Sequence, residues 1–507
     1  MKEKLLEKYV IVADNVSGGV EIKKKETELV PIYELKLPSI EPGTLAVLGK
    51  VKELLIARIP LKTTELLDVS AIQQIKEKFY SHGLEIIKKQ LPTLPAKNQQ
   101  LLVGLLIHEM LGLGKIEMLL ADGQLEEIVI NSSTDHIWVY HKKYGWLKTN
   151  IVIPSESDIL NYAASIGRKV GRQITTLSPL LDAHLPTGDR INATLFPIST
   201  RGNTLTIRKF RRKPWTITDL IENKTVSPEV TALLWLTIQY EMNMIISGGT
   251  ASGKTSFLNV LMSFIQPNNR IISIEQTREI QLPSFLHWVP LTTREPNPEG
   301  KGEVSMLDLL VNSLRMRPDR IIVGEIRRSA EAEVLFEAMH TGHSVYATLH
   351  ADTAEQTYKR MINPPIDLPE SMLEALHLIS VCFRDRRKGI RRVLQIAELI
   401  PGEEGKGLKI NTLFRWKPVK DEIIKQTESY RVADELRLHT GMNDKEISSD
   451  IQEKIKVLKW LVENKVDTVD GVGMVVSEYY TNKEELLKIV EKKLKPEKII
   501  PVKVLKG

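Results

Sequence analysis

Cysteine is nearly absent from this 507-residue chain: Cys382 is the only one, which excludes disulfides and any cysteine-ligated zinc centre. It lies in Ile379-Ser-Val-Cys-Phe383, among apolar neighbours that suit a buried, inert thiol better than a nucleophile. Aromatic residues make up only 6% of the chain, and no uncharged apolar run approaches the roughly 20 residues of a membrane span. The start, Met1-Lys-Glu-Lys-Leu-Leu-Glu7, lacks a signal-peptide core, so a protein of the cell interior with only peripheral membrane contact is expected. Charge of one sign is scarce too. The 70 Lys and Arg against 64 Asp and Glu leave +6, too little at this length to imply a nucleic-acid partner.

What is present is the balance of a folded globular protein, 42% hydrophobic and 26% charged, at a length that suggests about three domains. Positive charge gathers in Lys23 to Lys25, in Arg208 to Lys213 and in Arg384 to Arg392. Such runs usually line a solvated face and less often meet phosphates or anionic lipid.

Five regions are expected. Residues 1–66 mix turns with β-rich stretches such as Tyr9-Val-Ile-Val-Ala13 and Leu45-Ala-Val-Leu48. Residues 67–210 carry two helical patterns, Val69 to Lys89 and Ala96 to Leu120, then alternating strands at Glu127–Asn131, His136–Tyr140, Arg190–Thr194 and Asn203–Arg208, an α+β domain. Residues 211–219, with Arg211-Arg-Lys-Pro-Trp215, form a linker or hinge that Pro214 keeps irregular. Residues 220–400 alternate helical stretches with apolar strands at Met244–Ser247, Arg270–Ile274, Arg320–Val323, Ser344–Thr348 and Val393–Ala397, the pattern of a parallel α/β sheet. Residues 401–507 are mainly helical, with Ile455–Val462 the clearest amphipathic piece.

The chemistry concentrates in the fourth region. Gly248-Gly-Thr-Ala-Ser-Gly-Lys-Thr255 fits G-x-x-x-x-G-K-[ST], directly after one apolar strand and before the helical run that opens at Ser256. Residues Gly248, Gly249, Thr250, Ala251, Ser252, Gly253, Lys254, Thr255 and Ser256 thus form a candidate phosphate cradle for ATP. Lys254 would reach the β and γ phosphates, and Thr255 would ligate magnesium. Glu325 follows the strand Arg320–Val323, at the strand end where open α/β sheets bind ligands, and is the second candidate magnesium ligand, directly or through water. Glu275 and Glu279, after the strand Arg270–Ile274, are both candidates to position an attacking water. They share a face only if that segment is helical. His343 and His350 bracket the strand Ser344–Thr348 and are candidate reporters of phosphate loss.

In order and spacing, the P-loop, Glu275-Gln-Thr-Arg-Glu279, Ile322-Val-Gly-Glu-Ile-Arg327 and Gly342-His-Ser-Val-Tyr-Ala-Thr-Leu-His-Ala351 resemble the P-loop, Asp box, Walker B and His box of the secretion ATPase superfamily. The resemblance runs from about Glu126 to Leu399 and includes the upstream block Ser178 to Ala193. It implies a RecA-like ATPase core, an α+β N-terminal domain, and Arg190 and Arg208 as phosphate sensors, with the region of Arg315 and Arg317 also approaching nucleotide. It further implies a homo-hexamer on the inner face of the cell membrane, beneath a polytopic platform protein, that drives a filament or secretion machine. Two departures stand out: Gln276 occupies the usual Asp position of the Asp box, and the four-cysteine zinc motif of bacterial members is missing. The second departure, with Arg360-Met-Ile-Asn-Pro-Pro-Ile366 and the tail around Val475–Tyr480, makes the chain look most like the archaellum motor or archaeal pilus ATPases. DNA translocation and an ATP-binding scaffold with little turnover are the alternatives.

Overall fold

The computed structural model describes residues 3–59, 69–185, 188–210, 213–296, 300–402 and 407–505. It divides into two compact units, Met1–Arg212 and Lys213–Gly507. Of the expected hinge, Arg211 and Arg212 lie outside the described residues. Among the described residues no helix is long and apolar enough to cross a membrane.

The first unit is built on nine strands: β1 (Glu3–Ala13), β2 (Val16–Lys25), β3 (Ile32–Lys36), β4 (Leu125–Ile130), β5 (His136–His141), β6 (Gly145–Val152), β7 (Leu180–His184), β8 (Arg190–Thr194) and β9 (Thr204–Arg208). They form one sheet in the order β1-β2-β3-β6-β5-β4-β9-β8-β7, antiparallel except where β3 meets β6. Alternation does the work of orientation. In β5 Ile137 and Val139 are buried while Trp138 and Tyr140 are half-buried on the other face, and Ile128, Ile191 and Ile207 join the same core. The helix Glu156–Lys169 covers that core, started by Ser155, whose hydroxyl accepts from the Asp158 N–H.

Three helices, Pro42–Arg58, Val69–Gln90 and Ala96–Met110, form a second cluster around Val51, Leu55, Phe79, Val103 and Leu106. This corrects the strand expected at Leu45–Leu48, which lies inside the first of those helices. Pro42 stands in its opening turn, and Leu48, Val51 and Leu55 recur at helical spacing. The expected helix Ala96 to Leu120 is two, Ala96–Met110 and Ile116–Ala121, separated where Gly114 takes a φ of +60°.

The second unit holds a second nine-stranded sheet: β10 (Met244–Gly248), β11 (Arg270–Glu275), β12 (His287–Thr292), β13 (Arg320–Val323), β14 (Ser344–Leu349), β15 (Leu378–Asp385), β16 (Ile390–Pro401), β17 (Leu408–Lys417) and β18 (Glu422–Lys425), ordered β12-β11-β13-β14-β10-β15-β16-β17-β18. The first six are parallel and largely two-sided: Met244 and Ile246 pack with Phe257 and Leu258 on one face, Ile245 with Leu335 and Phe336 on the other. The strand read at Val393–Ala397 is antiparallel, not parallel, because the short turn after Asp385 leaves no room for a crossover helix. Strands β17 and β18 continue the sheet to Lys425, and helices resume at Arg431. The helices Asp444–Glu463, Val469–Thr481 and Lys483–Glu491 join the core of Trp235, which stacks on Phe264 at 4.9 Å, just beyond the helix that follows β10.

Candidate functional site

β10 lies between β14 and β15, so whatever leaves its C-terminal end stands at the middle of the nine-stranded sheet. That is the loop Gly248 to Gly253, followed by the helix Lys254–Met262. Its first residues follow from backbone crowding. A Cβ on Gly248 would stand 2.3 Å from the Cys382 carbonyl oxygen of β15, and the residue's φ is +148°, so only glycine fits. Gly253 caps the helix at a φ of +95° with no side chain to bond the opening N–H groups. Those donors, the helix dipole and the buried Ser252 hydroxyl, which has no hydrogen-bond partner, fit a phosphate group.

Lys254 is only 8% exposed. Its amine donates to the Gly249 carbonyl at 3.2 Å and faces the His350 ring at 3.3 and 3.5 Å. Burial lowers its pKa, with Glu325 the main opposing charge. His350 ends β14, and its Nε2 stands 3.2 Å from Glu325 Oε1; burial first, then the Lys254 charge, keep the imidazole below its usual pKa. Glu325 follows β13, and its second oxygen accepts from Arg327 at 2.8 Å. Lys254, His350, Glu325 and Arg327 are thus brought together across three adjacent strand ends. Thr255 is half-buried and Ser256 exposed in the first helical turn, while Thr250 and Ala251 sit at the loop's crest, with Ala251 at a φ of +60°.

The two Asp-box acids separate. The chain from Gln276 to Glu279 is not helical, so they do not share a helix face. Glu275 is 2% exposed, and its Oε1 accepts from the N–H groups of Glu279 and Ile280 at 2.9 and 3.1 Å. Its Oε2 is buried without a partner, and burial raises its carboxyl to about 7. Glu279 itself is exposed.

His343 is not brought to this site. It precedes β14, six residues and about 20 Å of strand from the end that carries His350, and its Nδ1 lies 3.2 Å from both the Ala338 carbonyl and the Thr341 hydroxyl. Arg190 and Arg208 are cross-strand neighbours on β8 and β9 of the first unit. Arg190 forks onto Asp182 at 2.7 and 3.2 Å, and both arginines are exposed. Arg315 and Arg317 are exposed in the second unit.

Three arginines not among the expected site residues touch the site. Arg391 Nε donates to the Ala251 carbonyl at 3.2 Å, Arg360 to the His350 carbonyl at 2.8 Å, and Arg327 to Gln276 Oε1 at 2.8 Å. Arg391 belongs to the basic run read as a solvated face, and the clue to it was the hairpin that returns β16 beside the P-loop strand's neighbour.

Residues 109–382 match the family described as Type II/IV secretion system protein. The chain is 33% identical over 482 residues to an uncharacterised protein of Methanocaldococcus jannaschii, an overlap covering 93% of this chain and 85% of that one. It is 32% identical over 311 residues to a putative conjugal transfer protein of Mycobacterium tuberculosis, covering 58% of this chain and 86% of that one. It is 30% identical over 301 residues to the type IV secretion system protein PtlH of Bordetella pertussis, covering 53% and 88%. With the family match spanning more than half of its length and a RecA-like sheet carrying the P-loop, the chain belongs to the family of type II/IV secretion system proteins.

Proposed function

We propose that this protein hydrolyses Mg-ATP to drive assembly of an archaellum- or pilus-like filament, or protein secretion, through a membrane platform protein. The observation that carries the ATPase reading is Lys254, a buried cation at an uncapped helix start whose nearest partners are a carbonyl and an imidazole. The P-loop N–H groups and Lys254 would hold the β and γ phosphates, and Thr255 with Glu325 would hold magnesium. Bound there, magnesium would neutralise charge on the phosphates. Between the two Asp-box acids, Glu275 suits the role of positioning and deprotonating water better: a carboxyl near 7 is matched to work at neutral pH, and it packs against Gly324, the residue before Glu325. His350 bridges Lys254 and Glu325, so it is suited to register loss of the γ-phosphate. Arg190 and Arg208 would sense phosphate from the first unit of the same or a neighbouring subunit of a hexamer. The protein would work from the cytoplasm, peripherally attached to the membrane's inner face.

The test is phosphate release by the purified chain. Turnover that depends on magnesium and vanishes in Lys254→Ala supports the reading, and equal turnover in that variant would refute it. A second reading, DNA transfer, is favoured by the similarity to a putative conjugal transfer protein of Mycobacterium tuberculosis. Turnover stimulated by DNA and weakened by salt would select it, whereas stimulation by vesicles carrying the platform protein selects the first.

A further inference from the structure

We propose, resting on the ATPase reading, that Arg327 is a positioning residue for the Glu325 carboxylate and that Gln276 is the neutral anchor that aims it. The backbone of Arg327 is pinned before its side chain begins. The N–H groups of Arg327 and Arg328 both donate to Glu331 Oε2, at 3.1 and 3.2 Å, the carboxylate that boxes the start of the helix Ser329–His340. From there the guanidinium forks, with one nitrogen 2.8 Å from Glu325 Oε2 and the other 2.8 Å from Gln276 Oε1. Since His350 Nε2 holds Glu325 Oε1 at 3.2 Å, the Glu325 carboxylate is gripped at both oxygens and its last torsion is set.

Gln276 gives this fork its sense. It follows β11, the parallel neighbour of β13, so the fork ties together the two strand ends that carry Glu275 and Glu325. A carboxylate at 276 would compete for the positive charge of Arg327. An amide oxygen accepts the same hydrogen bond without that claim, so the charge stays on Glu325. The departure from the usual Asp is thereby explained as part of a fork rather than as damage to the site. Arg327 is 53% exposed, where an ion pair contributes little to folding, so the value of the contact lies in placement.

Steady-state hydrolysis by the full chain tests this with Arg327→Ala, Arg327→Lys, Gln276→Ala, Gln276→Glu and the Gln276→Ala/Arg327→Ala double variant. The expected result is kcat lowered about tenfold or more in Arg327→Ala, with the KM for ATP moved less than about threefold. Arg327→Lys should recover part of the loss. Gln276→Ala should lose less than Arg327→Ala, and the double variant should be no worse than Arg327→Ala alone, because the anchor has nothing left to aim. Gln276→Glu should fall at least as far as Gln276→Ala despite preserving size, since the new charge draws Arg327 away. Normal kcat in Arg327→Ala, additive losses in the double variant, or Lys no better than Ala would each overturn the proposal while leaving the ATPase reading intact. No turnover in the unaltered chain would overturn both.

Discussion

Lys254 and Lys454 are both buried lysines of the second unit, 8% and 0% exposed, and burial pulls both amines down, that of Lys454 to about 8. Lys454 is answered from within. It pairs with Asp450, lies 4.6 Å from the Tyr479 ring centre and 5.6 Å from that of Trp235, and Asp450 is itself held by Tyr479 at 2.6 Å and Lys483 at 3.1 Å. Lys254 meets a carbonyl and an imidazole, neither of them an anion. A buried cation whose counter-charge is supplied by the chain belongs to the fold. One that touches no anion of the chain and meets Glu325 only at longer range belongs to a site, because a bound anion can supply the contact the fold leaves open.

The contrast can be broken in both directions. Lys254→Ala should abolish phosphate release and leave the thermal midpoint of the full chain unchanged or raised, since it removes a buried charge that touches no carboxylate. Lys454→Ala should do the reverse, lowering the thermal midpoint by several degrees through a loss of about 3 kcal/mol while spared molecules keep their turnover. A midpoint that drops equally in both variants would erase the distinction.

Glu275 sharpens the same comparison from the anionic side. Burial lifts its carboxyl from 4.5 to about 7, so the folded chain retains a proton there that the unfolded chain releases. Its contribution is complete below about pH 4.5 and disappears as pH rises through 7, a decline on the order of 3 kcal/mol. Glu275→Gln keeps an oxygen for the Glu279 and Ile280 N–H groups and should flatten that decline in unfolding measured between pH 4.5 and 7. An unaltered slope would show that Glu275 ionises freely in the folded chain.

The smallest expected effect separates the two histidines. His350→Ala should cut kcat about tenfold, and His343→Ala should leave kinetics within about twofold of the unaltered chain. Equal losses would mean that the N-terminal end of β14 also meets nucleotide.

What the sequence discloses here follows the range of the interactions involved. The P-loop is local, a strand, a turn and a helix in one dozen residues, so Gly248 to Ser256 could be read directly. The histidines could not be ranked, since they bracket β14 symmetrically until the parallel direction of the sheet assigns one of them to the ligand end. Leu45–Leu48 misled because four apolar residues fit either period, and only the recurrence at Val51 and Leu55 reveals a helix. Gln276 and Arg327 are 51 positions apart, and nothing in either segment announces the other until β11 and β13 are neighbours.

Cys382 has a practical consequence. Its carbonyl limits position 248 to glycine, while its buried thiol is pushed up to about 12, far from the reactive thiolate range. With no other cysteine in the chain, new ones placed at exposed positions such as Leu177 in the first unit and Val419 in the second would be the only reactive handles. A pair of fluorescent dyes attached there would report, through energy transfer in single molecules, whether nucleotide changes the separation of the two units.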